Sequence, residues 1–129
     1  MSLSLYEASQ EGNVEAVQLL LAKDGVEVNQ AATYGETPLY SASKNGHTKV
    51  VELLLAHDGV EVNQANKNGA TPLYIASENG HTKVVELLLA HDGVEVNQAN
   101  KNGATPLYIA SENGHTKVVE LLLAHDGVE

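Results

Sequence analysis

An all-α solenoid of stacked helix-turn-helix units is the fold this sequence predicts, and three observations predict it. Residues 45–95 and 79–129 are the same 51 letters displaced by 34 positions. A period of roughly 20 to 50 residues marks a stack of like units, each too small to bury its apolar face alone. Within each unit Leu and Val recur at helical spacing, and Asn and Gly mark the breaks. The composition fits: 43% of the 129 residues are apolar, yet Phe, Trp and Cys are absent and Tyr occurs five times. Leu, Val and Ala must therefore carry the burial, which suits thin stacked layers better than one wide core.

Residues 66–99 give the elements in order. Asn68-Gly69 is a turn signal, because both residues tolerate positive φ. Thr71-Pro72 opens a helix, with Thr as the N-cap and Pro at the first helical position, where its missing N–H is harmless. Leu73, Tyr74, Ile75 and Ala76 continue the helix, and Asn79-Gly80 suits the left-handed residue that closes it. Thr82 is expected to cap a second helix, in which Val84, Val85, Leu87, Leu88 and Leu89 form a broad apolar face. His91-Asp92-Gly93 breaks that helix, and Val94-Glu95-Val96 reads as a short extended return. Helices this short are marginal alone in water, so packing between units must hold them.

These motifs resemble the ankyrin-repeat family over essentially the whole chain. The family pattern Thr-Pro-Leu-His-x-Ala appears as Thr37-Pro38-Leu39-Tyr40-Ser41-Ala42, Thr71-Pro72-Leu73-Tyr74-Ile75-Ala76 and Thr105-Pro106-Leu107-Tyr108-Ile109-Ala110. The Asn-Gly-His loop appears at Asn45-Gly46-His47 and at both later copies. Val50-Val51-Glu52-Leu53-Leu54-Leu55 and Val62-Asn63 match the second helix and the start of the finger. The resemblance implies an ankyrin-repeat solenoid of helix-turn-helix units with short finger turns. It implies one domain, with a capping unit over residues 1–31, full units over 32–65 and 66–99, and an incomplete unit over 100–129. Two features depart from the pattern. The period is 34, with the extra residue in the loop His57-Asp58-Gly59-Val60, and Tyr replaces His in the Thr-Pro-Leu-His element. The second change leaves the usual polar ties between repeats in question at those positions.

The resemblance places partner binding on the fingers and first helices, which line the concave face. Residues 32–65 and 66–99 differ at six of 34 positions: Ala32/Asn66, Thr33/Lys67, Tyr34/Asn68, Glu36/Ala70, Ser41/Ile75 and Lys44/Glu78. All six fall in the finger or first helix. The candidate partner-binding residues are therefore Thr33, Tyr34, Glu36, Lys44, Lys67, Asn68, Ala70, Glu78, Lys101, Asn102, Ala104 and Glu112. Tyr34 stands at a fingertip, where it either anchors a partner or packs on the neighbouring finger. Fingers 66–70 and 100–104 are identical, so either the ligand is itself repetitive or these units are framework copies. The expected function is a non-catalytic protein-protein interaction scaffold. The alternative is an engineered or truncated array without a native partner.

Glu7 and Ala16 replace the residues corresponding to Ile75 and Val84, which suits a polar N-terminal cap. No such adaptation is present at the other end, where residues 116–124 repeat the internal helix letter for letter. The apolar face there is expected to fray or to self-associate.

Lys and Arg total 7 against 17 Asp and Glu, a net charge of −10. That balance argues against nucleic acid and against anionic membrane surfaces. The segment Met1-Ser2-Leu3-Ser4-Leu5 lacks the pattern of a secretory leader, and an intracellular, cytoplasmic setting is expected. No cofactor or metal is expected. His47, His81 and His115 lie one unit apart, about 10 Å if set by helix packing, too far to share an ion. His57, His91 and His125 follow second helices, where an imidazolium would meet the negative end of the helix dipole. The His-Asp pairs at 57–58, 91–92 and 125–126 have no nearby Ser or Cys nucleophile, so no enzyme is expected.

Overall fold

The computed structural model describes residues 3–129. Met1 and Ser2, part of the segment read as lacking a leader, lie outside them. Among the described residues eight helices follow in four pairs: α1 (Leu5–Glu11) with α2 (Val14–Leu21), α3 (Pro38–Lys44) with α4 (Thr48–Leu55), α5 (Pro72–Glu78) with α6 (Thr82–Leu89), and α7 (Pro106–Glu112) with α8 (Thr116–Leu123). The odd-numbered helices pack in one row and the even-numbered helices in a second, each pair also packing on itself. No strand occurs among the described residues.

The first helices start where the sequence placed them. The hydroxyls of Thr37, Thr71 and Thr105 accept from the backbone N–H groups of Tyr40, Tyr74 and Tyr108, each at 3.1 Å. A Pro follows each Thr. In α1 the same task falls to Ser4, which forms a reciprocal capping box with Glu7.

The second helices start differently from the expectation. Thr82 is already helical, and the N-cap position belongs to His81, which makes no capping bond with its side chain. Its ring turns outward instead, and Nε2 donates to the carbonyl of Lys44 in the preceding unit at 2.9 Å. His47 and His115 reach Gln10 and Glu78 in the same way. Asn79 and Asn113 donate to those same Lys44 and Glu78 carbonyls at 3.0 and 3.1 Å. An interior unit thus gives up a local cap, usually about 1 kcal/mol, for a tie to its neighbour. In the first unit Asn13 stands in place of His, and its side chain caps α2 through Ala16 N–H. Polar ties between units are therefore present despite the Tyr replacements.

The return after each second helix passes through two turns, with Val94-Glu95 between them and Val96 inside the second. Val94 N–H bonds to His91 O, and Gln98 N–H to Glu95 O. Asn63 joins this turn from the preceding unit: Nδ2 donates to Gly93 O at 2.8 Å, and Oδ1 accepts from Glu95 N–H at 2.9 Å. Asn29 and Asn97 do the same one unit either side. His57, His91 and His125 each accept a backbone N–H at Nδ1, from Gly59, Gly93 and Gly127.

The core is a column of Leu and Val. Val17, Val51, Val85, Leu54, Leu88 and Leu122 are fully buried between the two rows. Beneath the finger turns, a smaller cluster of Tyr40, Ala70, Tyr74, Ile75 and Ile109 packs separately. Ser9, Ser43 and Ser77 are also fully buried, and their hydroxyls make no hydrogen bond.

Candidate functional site

The fingers are tight backbone-bonded loops. Asn66 N–H donates to Ala70 O at 2.9 Å, and the Asn66 side-chain Oδ1 accepts from both Asn68 and Ala70 N–H at 3.0 Å. Gly69 takes φ +80° at the tip. A Cβ there would lie 3.0 Å from the backbone of Lys101, so the position suits only Gly. Adjacent fingers are joined by Lys67 N–H to Tyr34 O at 2.9 Å and Lys101 N–H to Asn68 O at 3.0 Å. Side chains at the tips thus project from a backbone fixed on both sides.

Thr33, Tyr34, Lys67, Asn68, Lys101 and Asn102 are exposed on these loops. Tyr34 is 70% exposed, so most of its ring is presented to solvent. Lys44 and Glu112 are exposed at the ends of α3 and α7, and Glu36, Glu78 and Ala104 are half-buried. Ala70 corrects the expectation: its methyl is 6% exposed and belongs to the tyrosine-isoleucine cluster. The small residue there makes room below the finger and offers almost no contact surface.

Seven of the expected residues gather around two shallow concavities between finger and first helix. One, of about 420 Å³, includes Asn68, Ala70, Glu78, Lys101 and Asn102. The other, of about 380 Å³, includes Asn102, Ala104 and Glu112. Thr33, Tyr34 and Lys67 stand apart from both.

Tyrosines supply walls that the sequence reading did not assign to the site. Tyr40 and Tyr74 line the first concavity, Tyr74 and Tyr108 the second. The available signal was the replacement of His by Tyr at the 34-residue period. Burial, then Glu36 and Glu78, pushes the Tyr40 phenol up to about 12. Tyr74 is raised by burial and then by Glu78 and Glu112, and Tyr6 by burial and by its bond to Glu36. Tyr6 donates to Glu36 at 2.8 Å, and Tyr40 accepts from Asn66 Nδ2 at 3.2 Å.

No group of three or more metal-ligating side chains occurs among the described residues. The ion pairs among those residues lie on second helices, as in Lys49–Glu52 at 3.4 Å, and leave Glu78 and Glu112 unpaired. No helix of the described residues is long and apolar enough to cross a membrane. At the outer end of the stack, Tyr108 and Leu123 are 55% and 58% exposed. A larger open hollow of about 830 Å³ lies at the opposite end, between α1 and the turn after α2.

Two rows of short helices, tied unit to unit and edged by rigid finger loops, define a helical-repeat protein with a surface suited to recognition. The family model for ankyrin repeats matches residues 4–66 and 58–129, and the chain belongs to the ankyrin-repeat family. Members of that family are generally protein-protein interaction modules. No curated protein matches this chain.

Proposed function

We propose that this chain is a non-catalytic interaction scaffold that holds a protein or peptide against its fingers and first helices. Tyr34 carries the reading: an aromatic ring 70% exposed, on a loop whose backbone is fixed by Lys67 N–H at 2.9 Å. Rigid exposed aromatics are frequent binding anchors, because little entropy is lost when they are covered. Thr33, Glu36, Lys44, Lys67, Lys101 and Asn102 supply the polar surround. The net charge of −10 disfavours nucleic acid and anionic membranes as partners and fits a cytoplasmic role. The outer end of the stack, with exposed Tyr108 and Leu123, is a second surface through which copies self-associate at high concentration.

The test is capture from a lysate by the immobilised chain and by a Tyr34→Ala, Lys67→Ala variant. A protein held by the chain and lost with the variant supports the reading, and proteins held equally by both overturn it. The identity of residues 45–95 with 79–129 favours a second reading, an engineered array kept for its structure. On that reading finger substitutions alter nothing beyond stability.

A further inference from the structure

Three sets of side chains recur along the finger face at the 34-residue period. Tyr40, Asn66, Ala70, Tyr74 and Glu78 surround the inner concavity, and Tyr74, Asn100, Ala104, Tyr108 and Glu112 surround the outer one. One unit earlier stand Tyr6, Ala32, Glu36, Tyr40 and Lys44, and there the chemistry differs. Glu36 replaces the Ala of the later sets and already accepts from the Tyr6 hydroxyl at 2.8 Å, while Lys44 replaces the Glu. The first set pairs Glu36 with Tyr6, as the outer set pairs Glu112 with Tyr108. The later two each keep a carboxylate that has no cation within ion-pair distance among the described residues.

Tyr74 adds an independent observation. It is 7% exposed and lines both concavities, yet its hydroxyl makes no hydrogen bond to any described residue. The equivalent hydroxyls are engaged: Tyr6 donates to Glu36, Tyr40 accepts from Asn66, and Tyr108 donates to Glu112 at 3.3 Å. Unlike the hydroxyls of Ser9, Ser43 and Ser77, that of Tyr74 is open to solvent, and it is free to bond a ligand group.

We propose, resting on the finger-face reading above, that the two concavities are paired subsites for arginine side chains of one extended segment. A guanidinium is planar and donor-only, so it matches phenol oxygen and carboxylate, and in the outer subsite it stacks on Tyr108, which is 55% exposed. The spacing selects the backbone. Neighbouring units are about 8–10 Å apart when set by helix packing. A polyproline-II segment returns to the same face every three residues, after about 9 Å. A β-strand would turn positions i and i+3 to opposite faces. The partner is therefore a proline-rich segment with arginines at i and i+3. Lys101 stands on the rim of the inner subsite alone, so that subsite binds the weaker of the two arginines.

Isothermal titration of the full chain with three synthetic proline-rich peptides tests this. One peptide carries arginines at i and i+3, one carries them at i and i+2, and one carries neutral citrulline at i and i+3. The first is expected to bind at least tenfold more tightly than the other two. Glu78→Gln with Glu112→Gln is expected to weaken it at least tenfold, and Lys101→Ala to tighten it. Equal affinity for the citrulline peptide, indifference to the Glu variants, or no binding overturns the inference. Amide shift mapping separates the two levels of the argument. A peptide that binds but perturbs only the second helices overturns the finger-face reading as well. Absence of peptide binding, with lysate capture still lost in the finger variant, leaves that reading standing and removes the arginine subsites.

Discussion

The ring of His81 lies directly over Gly46. Its Nε2 donates to the carbonyl of Lys44 at 2.9 Å, and a Cβ built on Gly46 would be 2.8 Å from the ring. Gly46 also has φ +71°, a region costly to residues with a Cβ. Gly46→Ala should therefore cost about 2–4 kcal/mol, combining left-handed strain with displacement of the ring. Gly114 has a similar φ of +74° with nothing within 4 Å, so Gly114→Ala should show the strain alone, about 1–2 kcal/mol. Urea midpoints of the two variants measure the difference, and equal losses would show that the His81 contact contributes nothing.

The orphaned serine hydroxyls predict a gain. Ser43 and Ser77 are fully buried in the first helices without a hydrogen-bond partner. Replacing each by Ala removes a desolvated polar group and leaves a better helix former, so Ser43→Ala and Ser77→Ala should each stabilise by about 1 kcal/mol. Ser111 is exposed, and Ser111→Ala should gain only the smaller helix-propensity part. A loss of stability at Ser77 would mean that its hydroxyl is paired after all.

Alkaline pH should destabilise the fold through Tyr40. Its phenol is pushed up to about 12, against 10.0 for the free group, chiefly by burial and then by Glu36 and Glu78. The folded protein holds this proton more tightly than the unfolded chain, so the stability is fully present below pH 10 and is lost as pH rises toward 12. The loss amounts to roughly 1–3 kcal/mol across that window. Tyr40→Phe cannot ionise there and should show a shallower decline in urea midpoint between pH 10.0 and about 12. Parallel declines in the two proteins would exclude Tyr40 as the cause.

Position in the stack should change the cost of the same substitution. Val85 is fully buried, whereas Val119, its copy 34 residues on, is half-buried. Val85→Ala should cost about 1–3 kcal/mol and Val119→Ala clearly less, because the lost apolar area and the cavity are both smaller. Thermal or urea unfolding of the two single variants provides the comparison. Equal costs would require the outer end to be covered in solution, as self-association would do.

Much of this was legible in the letters. The 34-residue identity required a stack, Thr-Pro and Asn-Gly marked the ends of the first helices, and the Leu-Val runs supplied the buried face. Those signals are local, since a cap, a turn or an amphipathic face involves residues a few positions apart. The start of the second helix and the turns around Val94-Glu95-Val96 were not legible for the complementary reason. His81 leaves its own helix to bond Lys44, and Asn63 shapes the turn at Gly93 and Glu95 from 30 and 32 residues away. Of the expected binding residues, Ala70 alone proved buried, because the finger folds back over it onto Tyr40 and Tyr74.

The sequence by itself determined the kind of unit, its period, and the positions at which units differ. Only the tertiary structure decided what each copy of a residue does. Tyr74 and Tyr108 occupy the same place in identical letters, yet one is 7% exposed and the other 55%. Burial in a stack belongs to the contact between units, and a residue gains it only where a neighbour covers it.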